Sequence, residues 1–451
     1  MAVPTDLQIA VSALAAKKPR YDMLWRYYDG DQPLVYSSEK LRQIFSGLEA
    51  RFTENWCGVV VDSVLNRMEL KGVSVANNEA ATAILVDLRE QSGIVDDDRS
   101  IHEDVCVTGE AFVLAWPNED TGTIDAFHND ARLCHAIYDG ANPRILRCAA
   151  KWWPDDAGVR LNLYYADRIE YYVTRREFKA GEMPDAKAFV PYTDAGDPVV
   201  DNGYGLPMFH FRANRRGPKS QLNSVLPVQD MVNKLLADVL IEAEFSAGRV
   251  RWIISNVGLA PGSLQSNPFA IWDLPAADKD SQPTQVGQFD ATDLMNYINA
   301  INKLTADIGI ISSTPRHYFY AQGGDPSGEA LIAMEAPLNA KVAMLQQTLQ
   351  PTWRDLYAFM LRLSGVQVAS QDIEAEYMPS STTQPKTIAE VRELSVRAGM
   401  PLTTALRDEG WTEEQLAQME EDKQAERVAQ ASYADAVLSQ AQRQFDQGQA
   451  M

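Results

Sequence analysis

The stretch Gly217-Pro218-Lys219-Ser220 ends like a P-loop, in which backbone N–H groups and a lysine cradle a nucleotide's phosphates. Only the tail of that motif is present, and Pro218 removes an N–H the loop would need, so no nucleotide site is expected. The five histidines, His102, His128, His135, His210 and His317, form neither an H-E-x-x-H nor an H-x-E…C-x-x-C grouping. His102-Glu103-Asp104 falls on a predicted helix, where neighbours diverge by about 100° and cannot share one metal ion. A hydrogen-bonded structural role is expected for each histidine. Cys57, Cys106, Cys134 and Cys148 include no C-x-x-C pair, which argues against zinc and fits a reducing compartment. Asp96-Asp97-Asp98 invites a metal reading, but acids just before a helix also complement its dipole and supply caps. Glu413-Glu414 and Glu420-Glu421-Asp422 fall on a solvated helix face. No G-x-S-x-G elbow occurs, and Ser327-Gly328-Glu329 reads as a helix start. The expectation is a protein with no catalytic, metal or cofactor residues. A carboxylate-dependent hydrolase is the enzymatic alternative, recognisable by metal-dependent activity lost on mutating one aspartate.

The chain that must position these residues has 451 of them, 45% hydrophobic and 23% charged, an ordinary balance for two to four packing units. No apolar run approaches the roughly 18 residues of a membrane span, and the first residues lack the features of a secretory signal. Synthesis in a cytoplasm and no membrane partner are therefore expected. The net charge of −21 is wrong for a protein that grips DNA by neutralising phosphates. It suits solubility, and equally a surface that must let DNA slide past.

The element pattern is α+β. Thr5 to Tyr28 reads as a helix with Leu7, Val11, Leu14, Leu24 and Tyr28 on one side, ending at Asp29-Gly30-Asp31. Asn55 can cap a second helix carrying Trp56, Val59, Val60, Val64 and Met68. Glu79 to Gln91 is a third, closed by Gly93, and Asp98 to Thr108 a fourth, followed by a strand at Ala111–Trp116. To about Phe211 short Val-, Ile-, Tyr- and Trp-rich runs alternate with turns; Arg160 to Tyr165 alternates as a strand with one wet face. Lys179 to Asn202, rich in Pro, Gly and Asp, reads as a long loop. Pro227 opens an apolar helix to about Ala247, and Asp290 can cap another carrying Leu294, Tyr297, Ile298, Ile301, Leu304 and Ile308. Each is about 30 Å long. Between them lie a strand at Arg249–Ile254 and the short apolar piece Phe269–Trp272. After the loop Ser312–Asp325 one helical pattern runs from Pro326 to Leu363, with kinks expected at Pro337 and Pro351. The tail from Lys386 is helical, with capping-box spacings at Thr387/Glu390 and Thr412/Gln415.

Several runs are similar to siphophage-type portal proteins of tailed bacteriophages. They include Val286-Gly287-Gln288-Phe289-Asp290-Ala291-Thr292-Asp293-Leu294, Ser313-Thr314-Pro315-Arg316-His317-Tyr318 and Pro326-Ser327-Gly328-Glu329-Ala330-Leu331. Asn55-Trp56-Cys57, the stretch from Leu226 to Lys234, Glu335-Ala336-Pro337-Leu338 and Leu406-Arg407-Asp408-Glu409-Gly410-Trp411 resemble the same family, in the same order.

The resemblance implies a homo-oligomeric ring, usually of twelve subunits, at one vertex of a virion capsid. Such a ring is a conduit for packaging and ejecting DNA and a docking platform. Its implied partners are double-stranded DNA bound without sequence preference, the large terminase, a head–tail adaptor, and the major capsid and scaffolding proteins. Mapped onto the family's parts, residues 1–211 are the wing, 212–247 the first stem helix, 248–285 the clip and 286–311 the second stem helix. Residues 312–325 form the tunnel loop, 326–385 the long kinked helix and return to the wing, and 386–451 the helical crown and tail. The loop tip Tyr320, Ala321, Gln322, Gly323 and Gly324 should then face the DNA. Lys234, Arg249, Arg251 and Lys303 are candidate phosphate contacts in stem and clip, with surface or intersubunit ion pairs as their alternative role. Trp252, Ile254, Phe269 and Trp272 are candidate partner-binding residues of the clip. A non-portal capsid or connector protein is the structural alternative.

Overall fold

In the computed structural model the chain combines helices and sheets in two compact units, Met1–Ser380 and Ser381–Met451. The structure describes residues 5–33, 53–118, 120–155, 158–174, 184–194, 196–247, 251–254, 285–288, 293–319, 327–381, 385–409, 411–412, 415–425 and 427. Among the described residues no helix is long and apolar enough to cross a membrane.

Helix α1 (Asp6–Tyr28) begins at Thr5, whose hydroxyl accepts from the Gln8 N–H while the Gln8 side chain accepts from the Thr5 N–H. This reciprocal cap satisfies two donors that the first turn leaves orphaned. Its first half buries Ala10, Val11 and Leu14 against one core, and its second half buries Tyr21, Leu24 and Tyr27 in another. Tyr27 is thus inward as well, and Tyr28, which the sequence placed on the apolar side, is partly buried against the same core. Helix α2 (Trp56–Leu65) starts at Asn55, whose side chain accepts from the Gly58 N–H, as expected. Helix α3 (Glu79–Ser92) ends on Gly93 at φ 76°, also as expected. Helix α4 departs from the reading: it spans Ile94–Val107 and opens directly from Gly93. One left-handed glycine ends α3 and reverses the chain into α4, because Ile94 is already buried in the core. Asp96 and Asp97 consequently stand in its first turn, against the positive end of its dipole.

Strands β2 (Glu110–Pro117), β3 (Ile124–Asn129) and β10 (Met208–Arg212) form an antiparallel sheet in the order β10-β2-β3. A second sheet runs β4 (Cys134–Tyr138), β5 (Leu146–Asp155), β6 (Gly158–Tyr164), β7 (Arg168–Thr174) and β8 (Phe189–Pro191), and β9 (Val199–Asp201) also pairs with β7. The span read as a long loop thus holds two short strands, lying end to end on one edge of β7. Val199 and Val200 are exposed, so backbone pairing rather than side-chain burial fixes β9, and no apolar pattern announced it. Strand β6 has no wet face either. Leu161 and Leu163 enter the core under α1, while Tyr164 enters the main core beside Asn162, whose amide donates to the Tyr164 hydroxyl at 3.2 Å.

Helix α5 (Leu226–Ala247) leads to the hairpin β11 (Arg251–Ile254) and β12 (Gln285–Gln288), which leads to α6 (Leu294–Ser312). The cap of α6 is Asp293, which accepts from the Met295 N–H at 2.9 Å. Asp290 and Phe269–Trp272 lie outside the described residues. Helix α7 (Gly328–Leu363) starts on Ser327 and is continuous through Pro337 and Pro351. Strand β13 (Ile373–Tyr377) then pairs antiparallel with β1 (Leu70–Val75), joining positions some 300 apart in sequence. In the second unit, α8 (Pro385–Arg397) and α9 (Leu402–Asp408) are tied by Arg392 and Glu409 at 2.9 Å. The Thr412/Gln415 capping box is formed.

Between α4 and β2, Gly109 sits at φ 97° with no room for a side chain, since a Cβ there would lie 2.2 Å from the Lys219 nitrogen. The Gly109 carbonyl accepts from Ala213 N and the Cys106 carbonyl from Gln221 N, so the 213–221 segment is pinned across it. Gly109→Ala is expected to destabilise the first unit by at least about 1–3 kcal/mol from backbone strain alone. The check is the denaturant midpoint of the full chain, which should fall without a change in slope.

Candidate functional site

The two long central helices pack side by side, and the hairpin links the end of α5 to the start of α6 through short connections, so they run antiparallel. Their base is fastened to the body by side-chain amides. Gln229, fully buried, accepts from the Trp56 N–H at 3.1 Å and donates to the Glu54 carbonyl at 2.6 Å and to Asn233 at 3.1 Å. Asn233 donates to Gln32 at 2.6 Å and accepts from the Glu54 N–H. Every member of this network is paired, so it costs little to bury and fixes where α5 leaves the body.

Burial is uneven along the pair. Near the base Val232, Asn233 and Ala237 on α5, and Thr305 and Ile308 on α6, are buried. Toward the hairpin Leu240 is 42% exposed, Met295 55% and Ile298 40%. Apolar side chains on these helices are thus uncovered by their own chain. At the other end of α6, Ile310 is 77% exposed, and Met344 on α7 is 69% exposed.

In the hairpin Trp252 faces Gly287 across the ladder, and its ring occupies the space a Cβ on Gly287 would take, 2.4 Å away. Glycine at 287 is what lets the indole lie flat on the strand. Ile254 and Val286 are more than half exposed.

The segment after α6 is held firmly as far as Phe319. Ser313 turns the chain at φ 60°, and Lys341 from α7 donates to the Ser312 carbonyl at 2.8 Å. A cation there complements the negative end of α6. Burial, with Lys219 nearby and offset in part by Cys106, lowers the Lys341 ammonium to about 8. Arg67 bridges Tyr318 (2.9 Å) and Glu335 (3.3 Å), and Phe319 packs on Trp56 with ring centroids 5.1 Å apart.

The family model for the phage portal protein, SPP1 Gp6-like, matches residues 10–429. The chain belongs to the phage portal protein family. That family is one of structural proteins and not of enzymes. None of the curated proteins matches. Among solved structures, the virion of a native gene transfer agent particle is similar at 13% identity and TM-score 0.43, over 81% of this chain and 90% of that one. The neck of an empty particle of that agent, computed with C6 symmetry, is similar at 13% identity and TM-score 0.44 with the same coverage.

In this portal protein the candidate cations fall into two groups. Lys234 pairs with Asp238, and Lys303 with Asp307 at 2.7 Å, each one helical turn on. Both charges are matched within their own helix. The backbone of Arg251 belongs to β11, its side chain lies outside the described residues, and so does all of Arg249. Of the clip residues, Trp252 is half-buried against Gly287, Ile254 is exposed, and Phe269 and Trp272 lie outside the described residues. Tyr320 to Gly324 lie outside them as well.

Sequence reasoning missed the Gln229/Asn233 pair. Its signal was there: two amides four residues apart on the same helix as the apolar residues. Reading that helix for its apolar stripe alone hid it. The histidines do take structural roles where the structure pairs them. His102 meets Tyr377 at 3.0 Å, His128 meets Asp104 at 3.0 Å and His210 meets Glu110 at 2.8 Å. Among the described residues no three His, Cys, Asp or Glu side chains are grouped to hold a metal ion.

Proposed function

We propose that this protein is the subunit of a portal ring of about twelve copies at one capsid vertex. The ring conducts DNA inward during packaging and outward during ejection. The observation that carries this reading is the uncovered apolar face of α5 and α6 on a family member whose base is rigidly fixed. A neighbouring subunit laid against it would bury the rest of Leu240, Met295 and Ile298, which are about half exposed. Each would gain roughly half of the ~1.5–3 kcal/mol of a full burial. Contacts of this heterologous kind close only by rotation, which gives a ring. In that ring α5 and α6 are the stem, β11–β12 belongs to the clip, and residues 312–325 are the tunnel loop with α7 behind it. The clip meets the terminase motor during packaging and a head–tail adaptor afterwards, so ATP hydrolysis resides in a partner. The acidic balance keeps DNA from sticking to the conduit, although screening limits each charge to about 8 Å, so only bore-facing carboxylates act.

Light scattering and negative-stain imaging of the purified protein test this. Rings with a central hole are expected, or rings inside procapsids if assembly needs a scaffold. A compact dimer with no ring under either condition would overturn it. Met295→Asp/Ile298→Asp, at exposed positions, is expected to leave the secondary structure unchanged and to shift the population from rings to monomers. Rings at wild-type yield from that variant would remove this face from the interface.

A further inference from the structure

Beneath the N-terminal helix the first unit holds an open cleft of about 580 Å³, within the range of small-ligand sites. It lies between α1, strands β4 and β10, and the segment after β10. Five cations line it, Lys17, Arg20, Arg212, Arg215 and Arg216, against one carboxylate, Glu110. In a chain of net charge −21, a local excess of four positive charges calls for a cause.

The floor is complete in itself. Lys17 lies 2.7 Å from Glu110, which also accepts from Tyr21 at 2.8 Å and from His210 at 2.8 Å. The rim is different. Arg20 is oriented by the neutral amide of Asn223 at 3.0 Å, and Arg212 lies 4.5 Å above the Tyr138 ring. Arg215 and Arg216 are exposed in a turn whose Asn214 side chain accepts from the Arg216 N–H. None of the four guanidiniums has a carboxylate within ion-pair distance among the described residues. The turn is also held in place, because Ala213 and Gln221 are hydrogen-bonded across Gly109. The cleft therefore presents guanidiniums from two stretches of chain, α1 and residues 212–216, around one opening.

We infer that this cleft binds a run of two or more phosphate groups. Guanidinium forks match phosphate oxygens bidentately. A single carboxylate offers two oxygens in one plane and one charge, whereas four guanidiniums with no ion pair among the described residues call for several charges and oxygens held close together. Cations on two facing stretches of chain match tetrahedral groups, whose oxygens can meet several of them at once. Such a run comes either from a nucleic-acid backbone or from a free polyphosphate. The cleft is lined by residues that precede α5 and by none of the hairpin, and the inference does not rest on the ring.

The test uses the full chain with a short fluorescein-labelled DNA duplex and with sodium tripolyphosphate, by fluorescence anisotropy and calorimetry across a salt series. Arg215→Gln/Arg216→Gln is compared with Lys71→Gln/Lys187→Gln, which removes the same charge from residues that do not line the cleft. Wild-type protein and the control are expected to bind, and the arginine variant to lose about tenfold or more in affinity. If the duplex binds, its log–log salt slope should become shallower by about 1.8, since each neutralised phosphate contributes roughly 0.9. Displacement of the duplex by tripolyphosphate places both in one site. Binding of the duplex alone names nucleic acid as the source, and of tripolyphosphate alone a free polyphosphate. The inference is overturned if neither binds or if both variants bind as wild type does. It is equally overturned if only a glutamate-rich peptide responds to the arginine substitutions, which would make the cleft a protein dock. Light scattering of the same samples should show oligomeric state unchanged, so failure here and failure of the ring reading are separable.

Discussion

Glu110→Ala is expected to destabilise the first unit by about 3–5 kcal/mol, the cost of breaking a buried ion pair from one side. Glu110 is 4% exposed and meets Lys17, Tyr21 and His210 within 2.8 Å. Lys17 is nearly enclosed, and besides Glu110 it meets the Cys134 carbonyl and the faces of Tyr21 and Phe112, none of which carries a negative charge, so without the carboxylate its charge is left uncompensated. His210 would lose the acceptor that holds its ring against Phe112, where the two stack with centroids 4.4 Å apart. Equilibrium urea denaturation followed by circular dichroism measures the loss. A midpoint unchanged from wild type would mean that water or another anion replaces the carboxylate.

The same cluster sets a pH dependence with a definite sign. Burial alone would raise the Glu110 carboxyl, but Lys17 and His210 outweigh it and hold it well below the usual range. A depressed acid stabilises fully above its unfolded value and loses that contribution as pH falls below it. Burial, reinforced by Lys17, lowers His135 to about 4, and burial lowers His210 despite Glu110. The unfolded chain takes up protons on these histidines below about 6.5 while the folded chain does not. Both effects act in one direction: stability falls on acidification, from His135 between about 6.5 and 4, from His210 below about 6.5 and from Glu110 below about 4.5. For His135 alone the loss is on the order of 3 kcal/mol. In Glu110→Ala the portion below 4.5 should largely vanish while the His135 portion remains.

Trp353→Ala should cost a similar amount, about 3–5 kcal/mol for deleting a buried indole. Trp353 is 1% exposed in the middle of the main core. Its ring meets Phe211 from β10 at 4.7 Å and Tyr357 at 5.6 Å, and its N–H donates to the Tyr377 hydroxyl on β13 at 2.8 Å. One side chain thus joins α7, the three-stranded sheet and the β1–β13 pair. Alanine would leave both a cavity and a buried hydroxyl with one partner fewer, since Tyr377 would keep only His102. Trp353→Phe should recover most of the packing and lose about 1 kcal/mol for the hydrogen bond. If phenylalanine and alanine are equally destabilising by urea titration, polar satisfaction rather than packing governs the site.

Much of the local structure was legible. Thr5, Asn55 and Gly93 act at helix ends as their chemistry dictates, and Ser327 starts α7. These features depend on hydrogen bonds to residues two or three positions away, which a sequence displays directly. The collinear runs from Asn55 to Trp411 carried the family resemblance for the same reason: order and spacing are properties of the chain itself. The start of α4 was misplaced because Ile94 begins the helix for the sake of the core, not of a cap. The strands after Thr174 were missed because β7 supplies their pairing partners.

The sequence by itself determined the cap at Asn55, the helix start at Ser327, the helix end at Gly93, the apolar stripes and the long helix pair around a β insert. It did not determine the cap of α6, which is Asp293 rather than Asp290. Only the tertiary structure decided what those stripes meet. Periodicity shows that Val232, Leu240 and Ile298 share apolar faces, but not that Val232 is sealed by the body while the other two are left uncovered. It also alone brought Lys17 and His210 onto Glu110, across 93 and 100 positions, and set four arginines around the cleft above them. Local propensity fixes the conformation of a few successive residues. Burial and charge pairing depend on which distant segments the fold lays beside them, and a single sequence does not display those distances.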